Sequence, residues 1–401
     1  MSKKSLILLV SIILISANLW AGGWNNTLIG TRAFAIGGAF VAVADDPSAI
    51  FHNPAGLVYQ GRTFNLSVDG FYISPVHEYV TTDGARVESR YKSSVPQFFL
   101  TFKANSRLTF GFGFYVPYAG GGVDWKEGAQ VQPFKSTMGV YSLTPTISYK
   151  FSEKLSVGFN LNFYSGVLNI DMVDAIYGPM KSEEKGSAVS AGFGLMFRPS
   201  QRVSIGLGVR GPAKMTLTGR TEVTFTDPLL GTFPILLDSE TSFDLPWDIE
   251  LGFAYRVTEN LLFSTSAQYT MWSALDRVEK IMINVPVVGD VEETQIMNYE
   301  DILILRVGFE YFISGGVILR GGLGYDRCAC PEDTLDYKGN IDVDKFTLIG
   351  GIGYRTGRTQ IDFVYAYAAG EERKKPITGF PSPERYNLSA AIMGVGVTFS
   401  F

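Results

Sequence analysis

The sequence predicts an all-β fold: a 14-stranded antiparallel transmembrane β-barrel with a small N-terminal plug in its lumen. Three observations carry this. Charged residues make up 18% of the 401 positions and hydrophobic ones 46%, which is too little charge to cover soluble domains of this length, where roughly 25% is usual. After the first 21 residues, no stretch approaches the roughly 18 uninterrupted apolar residues of a spanning helix. From about residue 63 onward, apolar residues alternate with small or polar ones in segments of about ten, the length a membrane strand requires. The 44 glycines are spread among aromatics, which argues against disorder and collagen. Lys+Arg 34 against Asp+Glu 39 leaves no basic field for nucleic acid.

Residues 1–21 read as an export signal. Lys3 and Lys4 form a charged start, Leu6 to Ile15 an apolar run too short to span, and Ala21 a small residue suited to cleavage. The mature chain is expected to begin near Gly22.

Residues 22–61 do not alternate. They are rich in Gly and Ala, and Asp46-Pro47 suits an N-cap and first helical position, so short helices and turns are expected. Asp45, Asp46, Asn53 and two prolines would leave charge and backbone unsatisfied against lipid. The place left for the segment is inside the barrel, which at fourteen strands is wider than the roughly eight-stranded barrels that side chains alone fill.

Residues 62–401 are assigned to the barrel. Tight joints lie at Asn105-Ser106, Ser152-Glu153, Ser200-Gln201, Glu259-Asn260, Ser314-Gly315 and Thr356-Gly357. Reading outward from them gives strands near 63–74, 95–104, 107–117, 138–151, 154–168, 186–198, 202–217, 241–257, 260–274, 300–312, 315–327, 344–356, 358–369 and 387–401. The seven loops between the hairpins are all longer than the six turns, as in membrane barrels. Leu155, Val157, Phe159, Leu161 and Phe163 alternate with Ser156, Gly158, Asn160, Asn162 and Tyr164, which puts the two sets on opposite faces. The same alternation separates Leu303, Leu305, Val307, Phe309 and Tyr311 from Arg306, Gly308 and Glu310. A soluble β-sandwich also alternates, but with strands nearer five or six residues.

Three stretches carry a family resemblance: Gly-Thr-Arg-Ala-Phe-Ala from Gly30, Ala-Asp-Asp-Pro-Ser-Ala from Ala44, and Asn53-Pro54-Ala55-Gly56-Leu57. They are similar to the hatch signature of the FadL/TodX family of outer-membrane transporters of hydrophobic compounds. Residues 145–161, 245–276 and 305–326 resemble that family's barrel segments. The resemblance implies a fourteen-stranded barrel, an N-terminal hatch, and diffusion of long-chain fatty acids or aromatic hydrocarbons. It also implies a sideways exit beside a kinked third strand; here that strand carries Gly111 and Gly113, and glycines mark bulges. The loops are shorter than in the family's best-studied members. The ending Val395, Val397, Phe399, Phe401 resembles the C-terminal signal through which outer-membrane proteins meet the barrel-assembly machinery.

The candidate site residues follow. Asn53, Pro54 and Ala55 match the hatch motif, where Asn satisfies neighbouring backbone and Pro fixes a turn; they either anchor the hatch to the wall or serve only its folding. Arg210, Arg306 and Arg320 fall on lumen faces by parity. There they either clamp a ligand carboxylate or pair internally with Glu250, Glu310 and Asp362. No cofactor and no metal is expected: the two histidines, His52 and His77, and the Cys-Ala-Cys of Cys328 and Cys330 make no recognisable metal site. That cysteine pair either closes a small disulfide or stays as thiols. The acidic loop Glu332, Asp333, Asp336 is read as solvated.

An outer-membrane phospholipase needs Ser and His in contact, and neither His lies on a strand with a recognisable Ser partner, so no catalytic residue is assigned. A general porin for polar solutes conflicts with a plug. The expected partners are a hydrophobic small molecule and outer-membrane lipid, and the chain is expected to be a monomer because its strands close without a second copy.

Overall fold

The computed structural model describes residues 23–401 except 127–130, 175–177, 228–230, 286–288 and 339, so the expected export signal lies outside the described residues. Fourteen antiparallel wall strands follow in chain order. The first six are β1 (Phe64–Val80), β2 (Ser93–Lys103), β3 (Leu108–Trp125), β4 (Phe134–Lys150), β5 (Leu155–Asp174) and β6 (Gly178–Phe197). Four interrupted strands follow: β7 (Val203–Arg210 and Ala213–Asp227), β8 (Gly231–Leu245 and Asp248–Arg256), β9 (Leu261–Thr270 and Arg277–Val285) and β10 (Gly289–Ile296 and Ile302–Phe312). The last are β11 (Val317–Asp326), β12 (Lys345–Thr356), β13 (Thr359–Gly370) and β14 (Glu384–Ser400). β14 pairs back onto β1 from Asn65↔Ser400 to Val80↔Arg385, closing the barrel. Closure satisfies the backbone without an edge, the condition for spanning hydrocarbon.

The faces divide as the alternation requires. On β5, Phe159 and Phe163 are about half exposed at 45% and 46%, while Ser156 and Asn162 between and beside them are 0% and 1% exposed. Leu303, Leu305, Phe309 and Tyr311 of β10 likewise face outward while Arg306 and Glu310 are buried inside. The outward side chains meet lipid, and the inward ones meet the N-terminal segment.

The strands are longer than expected at the long-loop end. β5 and β6 are paired from Leu155↔Phe197 up to Asp174↔Gly178, through the stretch 169–185 read from sequence as a loop. β7 and β8 are paired up to Asp227↔Gly231, and β9 and β10 add Arg277↔Ile296 to Val285↔Gly289. These extensions carry no outward apolar stripe because they rise past the bilayer, so their pairing leaves no mark on the hydrophobic period. The loop around 328–343 is irregular apart from an isolated bridge, Asp336↔Asn340.

Gly111 and Gly113 do not mark the irregularity of β3. Both are regularly paired, with Thr146 and Thr144, and the side chain of Ile50 from the N-terminal segment lies over them. The register shifts fall further on, between Tyr115 and Tyr118 and between Gly120 and Val123. Pro117 has no N–H to give the ladder. The N-terminal segment fills the break: Asn26 donates its N–H to the Pro117 carbonyl at 2.9 Å, and Ala119 donates to the Trp24 carbonyl at 2.9 Å.

Lumen-facing glycines let backbone lie on backbone. A β-carbon at Gly308 would meet the Ile36 carbonyl, one at Gly206 the Val41 carbonyl and one at Gly158 the Pro54 backbone. Gly308→Val is therefore expected to leave a heat-modifiable barrel but to unseat the segment at a cost of about 1–3 kcal/mol, seen as lost hydrogen-exchange protection of its amides. Gly70→Val, which meets nothing within 4 Å, is the control expected to change neither. Equal protection in both variants would contradict the packing described.

Candidate functional site

The N-terminal segment is three short helical pieces, Thr31–Ala35, Ala49–His52 and Pro54–Tyr59, joined by turns. It is nearly all buried inside the wall. Gly37 and Gly38 both sit at φ 77, the left-handed region that lets the chain reverse after the first helix. The second piece starts at Ala49 with Ser48 as its N-cap, so Asp46 and Pro47 are not the N-cap and first helical residue expected from sequence; Asp46 instead closes the turn before it, its Oδ1 accepting the Ser48 N–H at 2.9 Å and the Ser48 hydroxyl at 2.6 Å.

Pieces this short cannot satisfy their own backbone, and the wall supplies the partners. Gly30 N–H donates to Gln97 Oε1 at 2.8 Å and Thr31 N–H to Asp69 Oδ1 at 2.8 Å. Asn160 Nδ2 donates to the Ile50 carbonyl and Ser156 Oγ to the Ala55 carbonyl, both at 2.8 Å. Asn53 reaches three ways: Oδ1 accepts the Ala55 N–H at 3.1 Å, while Nδ2 donates to the carbonyls of Val41 at 2.8 Å and of Leu195 on β6 at 3.0 Å. Pro54 opens the third piece against Gly158 and Gly194, and Ala55 is fully buried there.

Charge joins the segment to the wall at one hub. Arg32 forks onto Glu310, Nε to Oε2 at 2.9 Å and Nη2 to Oε1 at 3.0 Å, and its Nη1 donates to Asp45 at 2.6 Å. Glu310 also accepts from Arg320 Nε at 2.6 Å, and Arg320 Nη1 donates to Asp362 at 2.6 Å. Gln360 continues the chain, donating to Asp362 at 2.7 Å and accepting from Arg355 Nε at 2.9 Å.

The three lumen arginines named from sequence all have carboxylate partners. Arg320 meets Glu310 and Asp362, and Arg306 meets Asp326 on β11. Arg210 lies 3.4 Å from Asp248 and over the Phe51 ring at 4.1 Å. Arg306 Nη1 and Arg320 Nη2 have no hydrogen-bond partner among the described residues. Glu250 makes no ion pair within 4 Å among the described residues; it borders two cavities of about 20 Å³ shared with Arg210, His52 and Gln268, each large enough for a single water. His52 bonds the Ile29 carbonyl through Nε2 at 2.9 Å, and His77 is buried on β1.

Above the segment, toward the long loops, the interior turns aromatic. Trp24 packs edge-on to Phe243 at 5.0 Å and to Trp272 at 6.2 Å, and Trp272 meets Tyr118 at 6.3 Å and Tyr299 at 5.8 Å. Tyr79, Trp125, Met215, Leu245 and Tyr386 belong to the same buried cluster. Tyr79, Tyr118, Trp125, Tyr299 and Tyr386 fall in stretches read from sequence as loops, so their assembly into this cluster left no local pattern. Arg32 was visible only as a lone charge in a Gly- and Ala-rich run. Cys328 and Cys330 stand as free thiols beneath the loop that joins this cluster.

A sequence model of the family described as "Outer membrane protein transport protein (OMPP1/FadL/TodX)" matches residues 12–401. Outer membrane protein P1 of Haemophilus influenzae is 22% identical over 423 residues, covering 90% of this chain and 90% of that protein. A crystal structure of a Pseudomonas aeruginosa FadL homologue is similar with a TM-score of 0.79 at 16% identity, covering 95% of this chain and 100% of that one. The Pseudomonas putida toluene transporter TodX is similar with a TM-score of 0.77 at 15% identity, covering 96% and 100%.

Two outcomes follow from the geometry. Glu310→Leu removes the carboxylate shared by two buried guanidinium groups, leaving Arg32 with Asp45 and Asp46 and Arg320 with Asp362, so the temperature at which the folded barrel loses its characteristic gel mobility is expected to fall, by an equivalent of about 3 kcal/mol; an unchanged transition would show the hub to be dispensable. Burial pushes the Cys330 thiol up to about 12 and the Cys328 thiol up as well. Neither thiol is thiolate at pH 8, so iodoacetamide is expected to label the pair only after denaturation, and labelling of the folded protein at pH 8 would refute this.

Proposed function

Because the chain belongs to the OMPP1/FadL/TodX family of outer-membrane transport proteins, we propose that it conducts apolar and amphipathic compounds, long-chain fatty acids or aromatic hydrocarbons, inward across the outer membrane by diffusion. Residues 23–60 act in this reading as a hatch. The observation that carries it is the aromatic cluster above the segment: water-filled porins line their lumen with polar groups, whereas here Trp24, Trp272, Tyr118 and Phe243 offer an apolar solute a favourable surface. The close packing at the middle of the segment supports a selective conduit over an open pore, since the two cavities shared there by His52 of the segment and Arg210 of the wall hold about 20 Å³ each.

A ligand passing this point requires the segment to shift. The break in β3, bridged by Trp24, Asn25 and Asn26, is the place where a small shift opens the wall sideways. Asn53, Pro54 and Ala55 serve as the fixed end about which the shift occurs. A ligand carboxylate reaching Arg306 or Arg320 would engage their free Nη1 and Nη2 donors while Asp326 and Glu310 keep the others.

Deleting residues 24–58 is expected to leave a folded barrel with much higher ion conductance in planar bilayers and little preference among apolar solutes. A truncated barrel that assembles normally and conducts no more than the intact protein would overturn the hatch. Arg306→Gln and Arg320→Gln are expected to weaken uptake of a fatty acid more than of a neutral hydrocarbon of similar size; equal loss for both would assign these arginines to internal pairing alone.

A further inference from the structure

A cavity of about 570 Å³ opens at the short-turn end of the barrel, below the N-terminal segment and far from the aromatic cluster. In a membrane barrel this is the periplasmic face. Five arginines line it, and they divide into two groups. Arg32 is committed to Asp45, Asp46 and Glu310. Arg62, Arg256, Arg355 and Arg358 have no carboxylate within 4 Å among the described residues.

Arg355 shows the imbalance most directly. Its Nε and Nη2 both donate to one neutral acceptor, Gln360 Oε1, at 2.9 and 2.6 Å, and no carboxylate among the described residues contacts its guanidinium. Arg256 likewise has only a backbone carbonyl, that of Glu259, at 3.4 Å. Gln60, 4% exposed on the cavity wall, accepts at Oε1 from Asn65 at 2.7 Å and Thr101 at 2.6 Å, and its buried Nε2 has no partner among the described residues. Of the carboxylates at the cavity, three are engaged by Arg32 and the fourth, Glu259, sits exposed on the turn. The cavity therefore presents a surplus of donors and positive charge within a partly enclosed space, where attraction for an anion is screened less than at an open surface.

We propose that this periplasmic cavity binds an anionic head group, a carboxylate or a phosphate, through Arg355, Arg358, Arg62 and the Gln60 amide. Guanidinium forks suit both head groups because their oxygens lie at the spacing of paired N–H donors. The site stands apart from the transport reading: it does not require that the barrel conduct apolar compounds, and uptake failing would leave it intact. The anion has two sources, an amphiphile arriving with its carboxylate or a phosphate from solution or a lipid, and the probes separate them.

Full-length protein folded in a nonionic detergent is titrated calorimetrically with inorganic phosphate, with laurate and with neutral dodecanol. In the double variant Arg355→Gln/Arg358→Gln, affinity for at least one anion is expected to fall tenfold or more while dodecanol binding is unchanged. Loss for phosphate alone assigns the site to phosphate groups, loss for laurate alone to carboxylate amphiphiles, and loss for both to either. Gln60→Glu, which keeps every arginine but adds a carboxylate, is expected to weaken the same anions. Arg107→Gln on a neighbouring short turn is the control expected to change nothing, and heat-modifiable gel mobility checks that each variant is folded. If folded double variant and wild type bind both anions equally, or if neither protein binds either anion, the proposal is wrong.

Discussion

The rest of the structure depends on contact between the backbone of the N-terminal segment and the barrel wall at positions that have no side chain. A wall strand in lipid spends its N–H and C=O groups on its neighbours, so whatever fills the lumen must fit the faces between. Gly158, Gly206, Gly308 and Gly322 bring wall backbone against Pro54, Val41, Ile36 and Gly37. Polar wall side chains, Ser156 and Asn160 on either side of Gly158 and the paired Asp69 and Gln97 of β1 and β2, reach the segment's unpaired amides and carbonyls. Steric room and backbone satisfaction are thus one device, and a barrel too wide for side chains to fill is filled by forty residues of chain.

Burial on this scale constrains the charges. Glu310 sits 1% exposed between Arg32 of the segment and Arg320 of the wall, so its buried charge is shared between a cation of each and removing both would leave it uncompensated. The segment is accordingly part of the wall's electrostatics as well as its packing. Moving it means breaking the Arg32 fork unless water or another anion enters at the same moment, which gives the seated arrangement a preference that hydrophobic contacts alone would not.

Polarity changes along the barrel axis. At the short-turn end the interior is arginine, carboxylate and amide; through the segment it is Gly, Ala and small aliphatic residues; toward the long loops it is Trp, Tyr, Phe and Met. Between the two ends, the cavities beside His52 and Glu250 hold about 20 Å³ each. The paired extensions of β5 to β10 continue this interior past the bilayer, with Met180, Val223, Leu237 and Met282 forming a separate apolar cluster there.

Period-two alternation was enough to place Phe159 and Leu305 in lipid and Asn162 and Arg306 in the lumen, because lipid on one face imposes a pattern that a single strand displays by itself. The six short turns and the departure of residues 22–61 from alternation were legible for the same reason: each is a property of neighbouring residues. The extensions beyond the bilayer were not, since strands paired in water need no apolar face. Gly111 and Gly113 showed that glycine alone does not tell a bulge from a seat for Ile50. Arg306 and Arg320 were placed in the lumen by parity, but their partners Asp326, Glu310 and Asp362 depend on which strands lie side by side. The sequence by itself determined a closed barrel with a filled lumen; only the tertiary structure decided that Arg32 meets Glu310, 278 residues away, because such contacts are set by strand register and barrel closure, which no local stretch of chain encodes.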